Sequence, residues 1–460
     1  MASDATTCST TETSWLYHPV FPESWRPHVL YSLATWINGM AFKNIHFTPS
    51  GRPVIKIAEI KGGITAQTQF TDSEYDKRYF ITQGDMLFSW SGQPETSIDA
   101  FYWDGPDGWL NQHVFKVLPN DDVCAPNFLY YILKYLKPNF IGIARNKQTT
   151  GLGHVTKADM QAIQVAVPDR PTQDRITYVL GKLDARIAVN LRMNRTLEKM
   201  AAAIFKSWFI DFDPVRAKAD GRDTGLPAEI AALFPDTFED SKLGPIPKGW
   251  QVNKIGEVAE IIKGRSYKSS ELQSSDVALV TLKSFLRGGG YREDGLKPYT
   301  GKYKSEQIVQ SGEIVVAMTD VTQNADVIGR PAIVRPDVRH GILVASLDTS
   351  VVRPISDTVS IPFLYSLLST EAFRAYTYAH TSGTTVLHLA RDAISAFEFP
   401  CPPEQAQRAF LSLVEPFRSR QQINHRHNHR LAGLRDALLP KLMSGEIKAS
   451  DVEHIAGRAV

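Results

Sequence analysis

Residues able to do chemistry are scattered along this chain, but none completes a catalytic set. Glu59-Ile60-Lys61 has the Glu-x-Lys form found beside nuclease metal ions, yet no Asp stands between residues 5 and 71 to share a cation from upstream. Asp436 with Glu446-Ile447-Lys448 has a tolerable spacing, but it falls at the end of a long helical pattern. His425, His427 and His429 alternate, and on a helix only the first and last share a face, so one zinc would gain two ligands at most. Gly290-Tyr291-Arg292-Glu293-Asp294-Gly295-Leu296-Lys297 lacks the contiguous Gly-Lys-Ser/Thr of a phosphate loop. Thr149-Thr150-Gly151-Leu152-Gly153 lacks the third glycine of a dinucleotide turn, and no strong strand precedes it. Neither Asn-Pro-Pro-Tyr nor Asp-Pro-Pro-Tyr occurs, so a base-methylating site is not expected. Cys8, Cys124 and Cys401 form no spaced pair, which excludes a disulfide framework or zinc cluster. The expectation is a protein with no catalytic residues and no metal.

The whole-chain numbers agree with a binding role. At 460 residues the chain suits two or three domains. With 43% hydrophobic and 10% aromatic residues spread throughout, disorder is not its dominant state. Net charge is +2 and the isoelectric point about 8.2, short of a small basic nucleic-acid binder, so any DNA-binding charge must be local. No 18-residue stretch is free of polar breaks, and the first residues carry no secretory pattern. Together with the sparse cysteines, this points to the cytoplasm.

The chain repeats itself with a period near 230 residues. Phe21-Pro22-Glu23-Ser24-Trp25 corresponds to Ile246-Pro247-Lys248-Gly249-Trp250. Fourteen residues after each Trp comes a glycine, Gly39 and Gly264. Gln83-Gly84-Asp85-Met86-Leu87 matches Ser311-Gly312-Glu313-Ile314-Val315, and Asn127-Phe128-Leu129-Tyr130 matches Pro362-Phe363-Leu364-Tyr365. Thr150-Gly151 answers Ser382-Gly383, and Asn190/Asn194 answers Asn424/Asn428.

Each copy begins with short apolar runs that read as strands, among them 54–57, 86–88, 114–117, 165–167, 277–280, 313–316, 332–334 and 349–352. Short helices are expected at 127–135 and 362–370. Each copy ends in a heptad helix. Ile176, Leu180, Leu183, Ile187, Asn190, Asn194, Leu197, Ala201, Ile204 and Trp208 alternate steps of 4 and 3. So do Phe410, Val414, Phe417, Gln421, Asn424, Asn428, Leu431, Arg435, Leu438 and Leu442, with Pro416 marking a kink or a fresh helix start. Two ordinary core helices with incidental asparagines would also satisfy this pattern. The shared phase of the Asn pairs favours mutual pairing, since a polar seam residue costs stability but sets register. A run of about 32 residues spans roughly 48 Å, against about 34 Å for a DNA turn.

The string Ala203 to Lys218 (AIFKSWFIDFDPVRAK), the linker Leu233 to Trp250 and the ending Leu434 to Ile447 (LRDALLPKLMSGEI) resemble the specificity subunits of type I restriction-modification systems. The likeness runs from about Trp15 to Ile447. It implies an α+β fold: two similar target-recognition domains separated by two long antiparallel coiled-coil helices, a pseudo-twofold internal repeat. The boundaries expected are a disordered lead-in 1–15, recognition domain 16–172, spacer helix 173–210, linker 211–245, recognition domain 246–402, spacer helix 403–447 and tail 448–460. It further implies that each domain reads half of a bipartite asymmetric site in double-stranded DNA. The helices would set the gap and dock two methyltransferase subunits, and restriction/translocase subunits would join them. S-adenosylmethionine, ATP and magnesium would belong to those partners, and no cofactor to this chain. The assembled complex would be an adenine DNA methyltransferase and an ATP-dependent endonuclease.

Phosphates attract Lys, Arg and hydroxyls, and base edges are read by Arg, Lys, Asn, Gln, Ser and Thr. Glycine-punctuated loops offer Lys43, Lys61, Gln67, Lys147, Gln148, Thr149, Thr150 and His154 in the first copy. The second offers Arg265, Lys268, Lys283, Arg287, Lys302, Lys304, Gln323, Asn324, Thr384 and His388. Two other readings compete: a single-chain methyltransferase or nuclease with unfamiliar motifs, and a coiled-coil scaffold that never reads DNA.

Overall fold

The computed structural model describes residues 22–65, 67–147, 152–322, 325–355 and 359–459. The chain forms two compact units, one from the residues up to 190 and from 425 onward, the other from 191 to 424. Each unit therefore contains one globule, one part of the helix Arg170–Phe209 and one part of the helix Glu404–Met443.

In the first unit the central sheet has strands Ala34–Asn38, Val114–Pro119, Met86–Ser89 and Asp99–Tyr102 in that spatial order, all antiparallel. The strand Arg26–Val29 pairs with Gln164–Val167, just before the long helix begins. In the second unit the sheet order is Ala259–Lys263, Thr349–Pro354, Ile314–Ala317 and Pro331–Ile333. There Gln251–Lys254 pairs with Glu398–Cys401, again just before a long helix. The duplication read from sequence is thus a duplication of strand order.

Two details explain why particular residues recur. Gly39 and Gly264 both sit where one backbone crosses another. A Cβ on Gly39 would lie 2.0 Å from the Asn111 carbonyl oxygen, and one on Gly264 2.0 Å from that of Ser346. The second is a cation that grips the acid before each central strand, from positions two residues apart in the common register. Lys116 Nζ bonds Asp85 Oδ2 at 2.9 Å and the Phe80 carbonyl at 2.9 Å. Arg353 Nε bonds Glu313 Oε1 at 2.6 Å, and its Nη2 reaches the Ile308 carbonyl at 3.3 Å. Each cation thus joins the central sheet to the loop that enters it.

The heptad residues form the expected seam. In the first unit Ile176, Leu180 and Leu183 share one core with Leu431, Leu438 and Leu442. Asn190 Nδ2 donates to Asn428 Oδ1 at 2.8 Å, and Arg435 Nη1 to Asp184 Oδ1 at 2.8 Å. As one residue number falls the other rises, so the segments are antiparallel. Tyr131, on the globule's helix Pro126–Tyr135, donates to Asp184 Oδ2 at 2.8 Å and ties globule to helix. Burial raises the Tyr131 hydroxyl well above its ordinary value, and the Asp184 charge raises it further, so it remains a donor. In the second unit Asn424 Nδ2 donates to Asn194 Oδ1 at 2.7 Å. Phe205, Trp208 and Phe209 pack with Phe410 and Val414. These segments too run antiparallel.

Three expectations change. The stretch 211–245 is not a bare linker. It carries the helix Asp213–Ala219 and the hairpin Phe238–Ser241 with Gly244–Pro247, and Phe212, Val215 and Phe234 are buried in the second unit's core. The helix Glu404–Met443 runs unbroken through Pro416, which removes the fresh start and leaves the kink as the reading of that proline. A proline forfeits one amide bond there, and flanking Val414 and Phe417 keep the segment packed. The expected tail is the helix Ala449–Ala459, whose Ala449 and Val452 enter the first unit's core. The lead-in 1–15 lies outside the described residues.

Gly39→Ala or Gly264→Ala should destabilise the protein by about 1–3 kcal/mol or prevent folding, because the obstructing atoms are backbone; urea unfolding against Gly84→Ala, where a Cβ meets nothing within 4 Å, checks this after allowing for its positive φ. Asn194→Leu alone should cost about 1–3 kcal/mol by stranding buried Asn424. The double change Asn194→Leu/Asn424→Leu should recover much of that, as measured by the same unfolding experiment.

Candidate nucleic-acid interface

In each unit one glycine-punctuated loop adjoins a small sheet. In the second unit Thr319–Asp320 pairs with Leu387–Leu389, which pairs with Thr381–Ser382. The connecting turn needs Gly383: its φ is +102°, and a Cβ would meet the Val386 carbonyl oxygen at 2.0 Å. Buried Asp320 holds the neighbouring loop by accepting N–H bonds from Thr322, Val327 and Ile328 at 2.6, 2.6 and 2.9 Å. Gly288, Gly289 and Gly290 all adopt positive φ, and Gly288 N–H reaches the Asp326 carbonyl at 3.0 Å. Arg287 lies 3.8 Å from Asp326 Oδ2 with 71% of its side chain exposed. Arg287, Thr384 and His388 are therefore displayed on loops tied to one another.

A second basic group surrounds the sheet containing Val277–Val280. Thr300 N–H reaches the Glu271 carbonyl at 2.9 Å and Tyr299 Oη donates to the Lys302 carbonyl at 3.0 Å. These bonds set exposed Lys268 and Lys302 on adjoining turns. Lys304 heads the turn Ser305–Gln307, anchored by buried Gln307, whose Nε2 donates to the Lys263 carbonyl at 3.2 Å. Its own amino group is 3.4 Å from exposed Glu306, a weak pair in water. Arg265 is exposed, with its backbone bonded to Ala345 and Leu347. Lys283 is exposed on the turn Leu282–Ser284.

In the first unit Gly153–His154 pairs with Gly92–Ser91. Lys61 ends the short helix Ile57–Gly62, and Gln67 lies on the following loop, where its Oε1 accepts from Thr65 Oγ1 at 2.9 Å. Lys43 is exposed and precedes the turn Asn44–His46. Lys147 is held by both oxygens of Asp159, at 2.6 and 2.7 Å. Burial opposes ionisation of Asp159, but bonds from Lys147 and Thr156 outweigh it and lower its pKa. Gln148, Thr149, Thr150, Gln323 and Asn324 lie outside the described residues.

One correspondence was not read from the sequence. Val155 N–H bonds the Trp90 carbonyl and Leu389 N–H the Met318 carbonyl, each at 2.8 Å. His154 and His388, each one residue earlier, therefore occupy equivalent places. The preceding Thr150-Gly151 and Ser382-Gly383 matches point to it, but register depends on pairing with strands far away in sequence.

The near-catalytic motifs have structural roles. Buried Glu59 caps its own helix by accepting from Lys56 N–H at 3.0 Å and also receives Thr68 Oγ1 at 3.2 Å. Among the described residues no cluster of three His, Cys, Asp or Glu could hold a metal ion.

A family model described as the type I restriction modification DNA specificity domain matches residues 22–199 and 247–432. The chain belongs to the family of type I restriction-modification specificity subunits. The HindI specificity subunit of Haemophilus influenzae is 26% identical over 414 residues, covering 80% of this chain and 87% of its own length. The MjaIX specificity subunit of Methanocaldococcus jannaschii is 26% identical over 359 residues, covering 74% of this chain and 73% of its own. A solved type I S subunit from M. genitalium is 16% identical with a TM-score of 0.47, covering 93% of this chain and 99% of that one. As a specificity subunit the chain serves DNA sequence recognition and is itself non-catalytic. Among the described residues no helix is long and apolar enough to cross a membrane.

Arg287→Ala should weaken DNA binding and flatten the dependence of log affinity on log salt by about one unit if it neutralises one phosphate. Lys61→Ala should do the same. Titrations of a target duplex at several salt concentrations check both, and an unchanged slope removes the residue from the interface.

Proposed function

We propose that each globule reads one half of a bipartite, asymmetric site in duplex DNA, and that the paired helices set the unread gap. The observation that carries this reading is the duplicated frame. Gly39 and Gly264, the acids Asp85 and Glu313, and the two central sheets are matched. The exposed loops on those frames differ in sequence, so the two halves of the site differ.

The helices also dock two methyltransferase subunits. Tyr178, Val189, Leu191, Met200, Leu413 and Ile423 stay exposed along them, and such apolar side chains suit a protein partner. The assembled complex methylates adenine, and with restriction/translocase subunits it cuts DNA at the expense of ATP. S-adenosylmethionine, ATP and magnesium reside in those partners. This chain contributes the address.

Co-expression with the methyltransferase subunit of its own system, followed by genome-wide mapping of modified bases, tests the reading. The expected result is a split motif. Replacing residues 246–402 with those of another specificity subunit should change one half only. Methylation by the purified chain alone, or a motif that changes in both halves, would contradict it.

A further inference from the structure

Resting on the functional reading above, we infer that one matched pair of positions per globule reads base edges and makes the two halves of the site chemically different: Gln93 with Leu152 in the first, Val321 with Val386 in the second. The register defines these pairs. The ladder ends at Gly92 opposite Gly153, and Gln93 and Leu152 are the residues just beyond that end. The equivalent ladder ends at Asp320 opposite Leu387, with Val321 and Val386 just beyond it. The equivalence of His154 and His388 places the two pairs at the same point of the duplicated frame.

All four side chains are open to solvent. Leu152 is 55% exposed, Val321 66% and Val386 37%, and Gln93 is exposed as well. Three aliphatic side chains held outside both cores have no value against phosphate, which binds cations and donors. They do suit the thymine C5-methyl group in the major groove, which only an apolar contact reads. Gln93 makes no side-chain hydrogen bond at the head of its helix Pro94–Ser97, so both amide atoms are free to bind. A free Gln amide matches the N6 and N7 edge of adenine.

Both ladder ends are tied down by bonds among the described residues. In the first unit Gly92 has φ +125° and packs against Ser97, where a Cβ would come within 2.6 Å, and the Gln93 carbonyl accepts from Thr96 and Ser97. In the second, the Asp320 carboxylate supports the loop after Val321 from beneath. His154 and His388 follow the aliphatic residue by two positions, on the same side of an extended segment. The frame is common to both tips, and the polar-to-apolar difference between Gln93 and Val321 separates them.

The test uses the chain co-expressed with its methyltransferase subunit. Modified bases are mapped for the wild type and for Gln93→Val, Val321→Gln, Leu152→Ala and Val386→Ala. The mapped site is then made as a duplex with thymine or deoxyuridine at each position. Gln93→Val should relax an adenine at one position of the first half only, and Val321→Gln should change one position of the second half only. Leu152→Ala and Val386→Ala should each weaken binding about tenfold and abolish the preference for thymine over deoxyuridine in their own half. Val386→Asn, which is close in volume and carries no methyl group, should show the same loss of methyl preference if the alanine form folds poorly. If the wild type yields no split motif, the functional reading fails. If it yields one and these variants leave every position unchanged, or alter both halves equally, the inference is wrong.

Discussion

Asn190 with Asn428, and Asn194 with Asn424, impose one register on the meeting of two helices that are more than 220 residues apart in sequence. A buried amide pair adds little net stability. Asn190 Oδ1, Asn194 Nδ2 and Asn428 Nδ2 have no protein partner among the described residues, so the seam bears a cost that leucines would not. What it supplies is selectivity: a slip of one heptad would set Asn194, Asn424 and Asn428 against apolar side chains. The cores follow from that register. Leu431, Leu438, Leu442 and Met443 complete the first unit, and Phe205, Trp208 and Phe209 complete the second. Neither globule closes its core from its own sequence alone.

The same economy appears within each globule. A cation on the central sheet grips the turn and the carbonyl of the loop that enters it, as Lys116 with Asp85 in one unit and Arg353 with Glu313 in the other. The acid keeps its place, Asp85 answering Glu313, while the cation sits two positions further along the strand, since Lys116 lies level with Val351 and Arg353 with Leu118. A crossing glycine in each copy is pinned by backbone atoms that cannot move aside. With the frame held in this way, the loops beyond Gly92 and Asp320 can differ without unfolding the unit, as binding loops on a fixed scaffold do.

Much of this was legible in the residues. The strands expected at 86–88, 114–117, 313–316 and 349–352 fall in the central sheets, and the apolar runs at 86–88 and 314–316 are buried on both faces. The heptads placed Leu180, Leu183, Leu431 and Leu438 on one seam without error. The segment 211–245 was misread because its polar and Pro-Gly punctuation resembles a linker, while three separated apolar residues, Phe212, Val215 and Phe234, suffice to bury it. Lys147 looked like a free loop cation, and only the fold brings Asp159 beneath it.

Sequence alone settled what repeats: apolar period, glycine position and the phase of the asparagines are local patterns, and a doubled chain displays them twice. Tertiary structure alone decided what faces what. That Gln93 and Leu152 flank one ladder end, and Val321 and Val386 the equivalent one, depends on the pairing of strands about 60 to 70 residues apart, where a shift of one residue would turn every side chain to the other face. Such a register arises from the closing of the whole core, and no short stretch of the chain contains it.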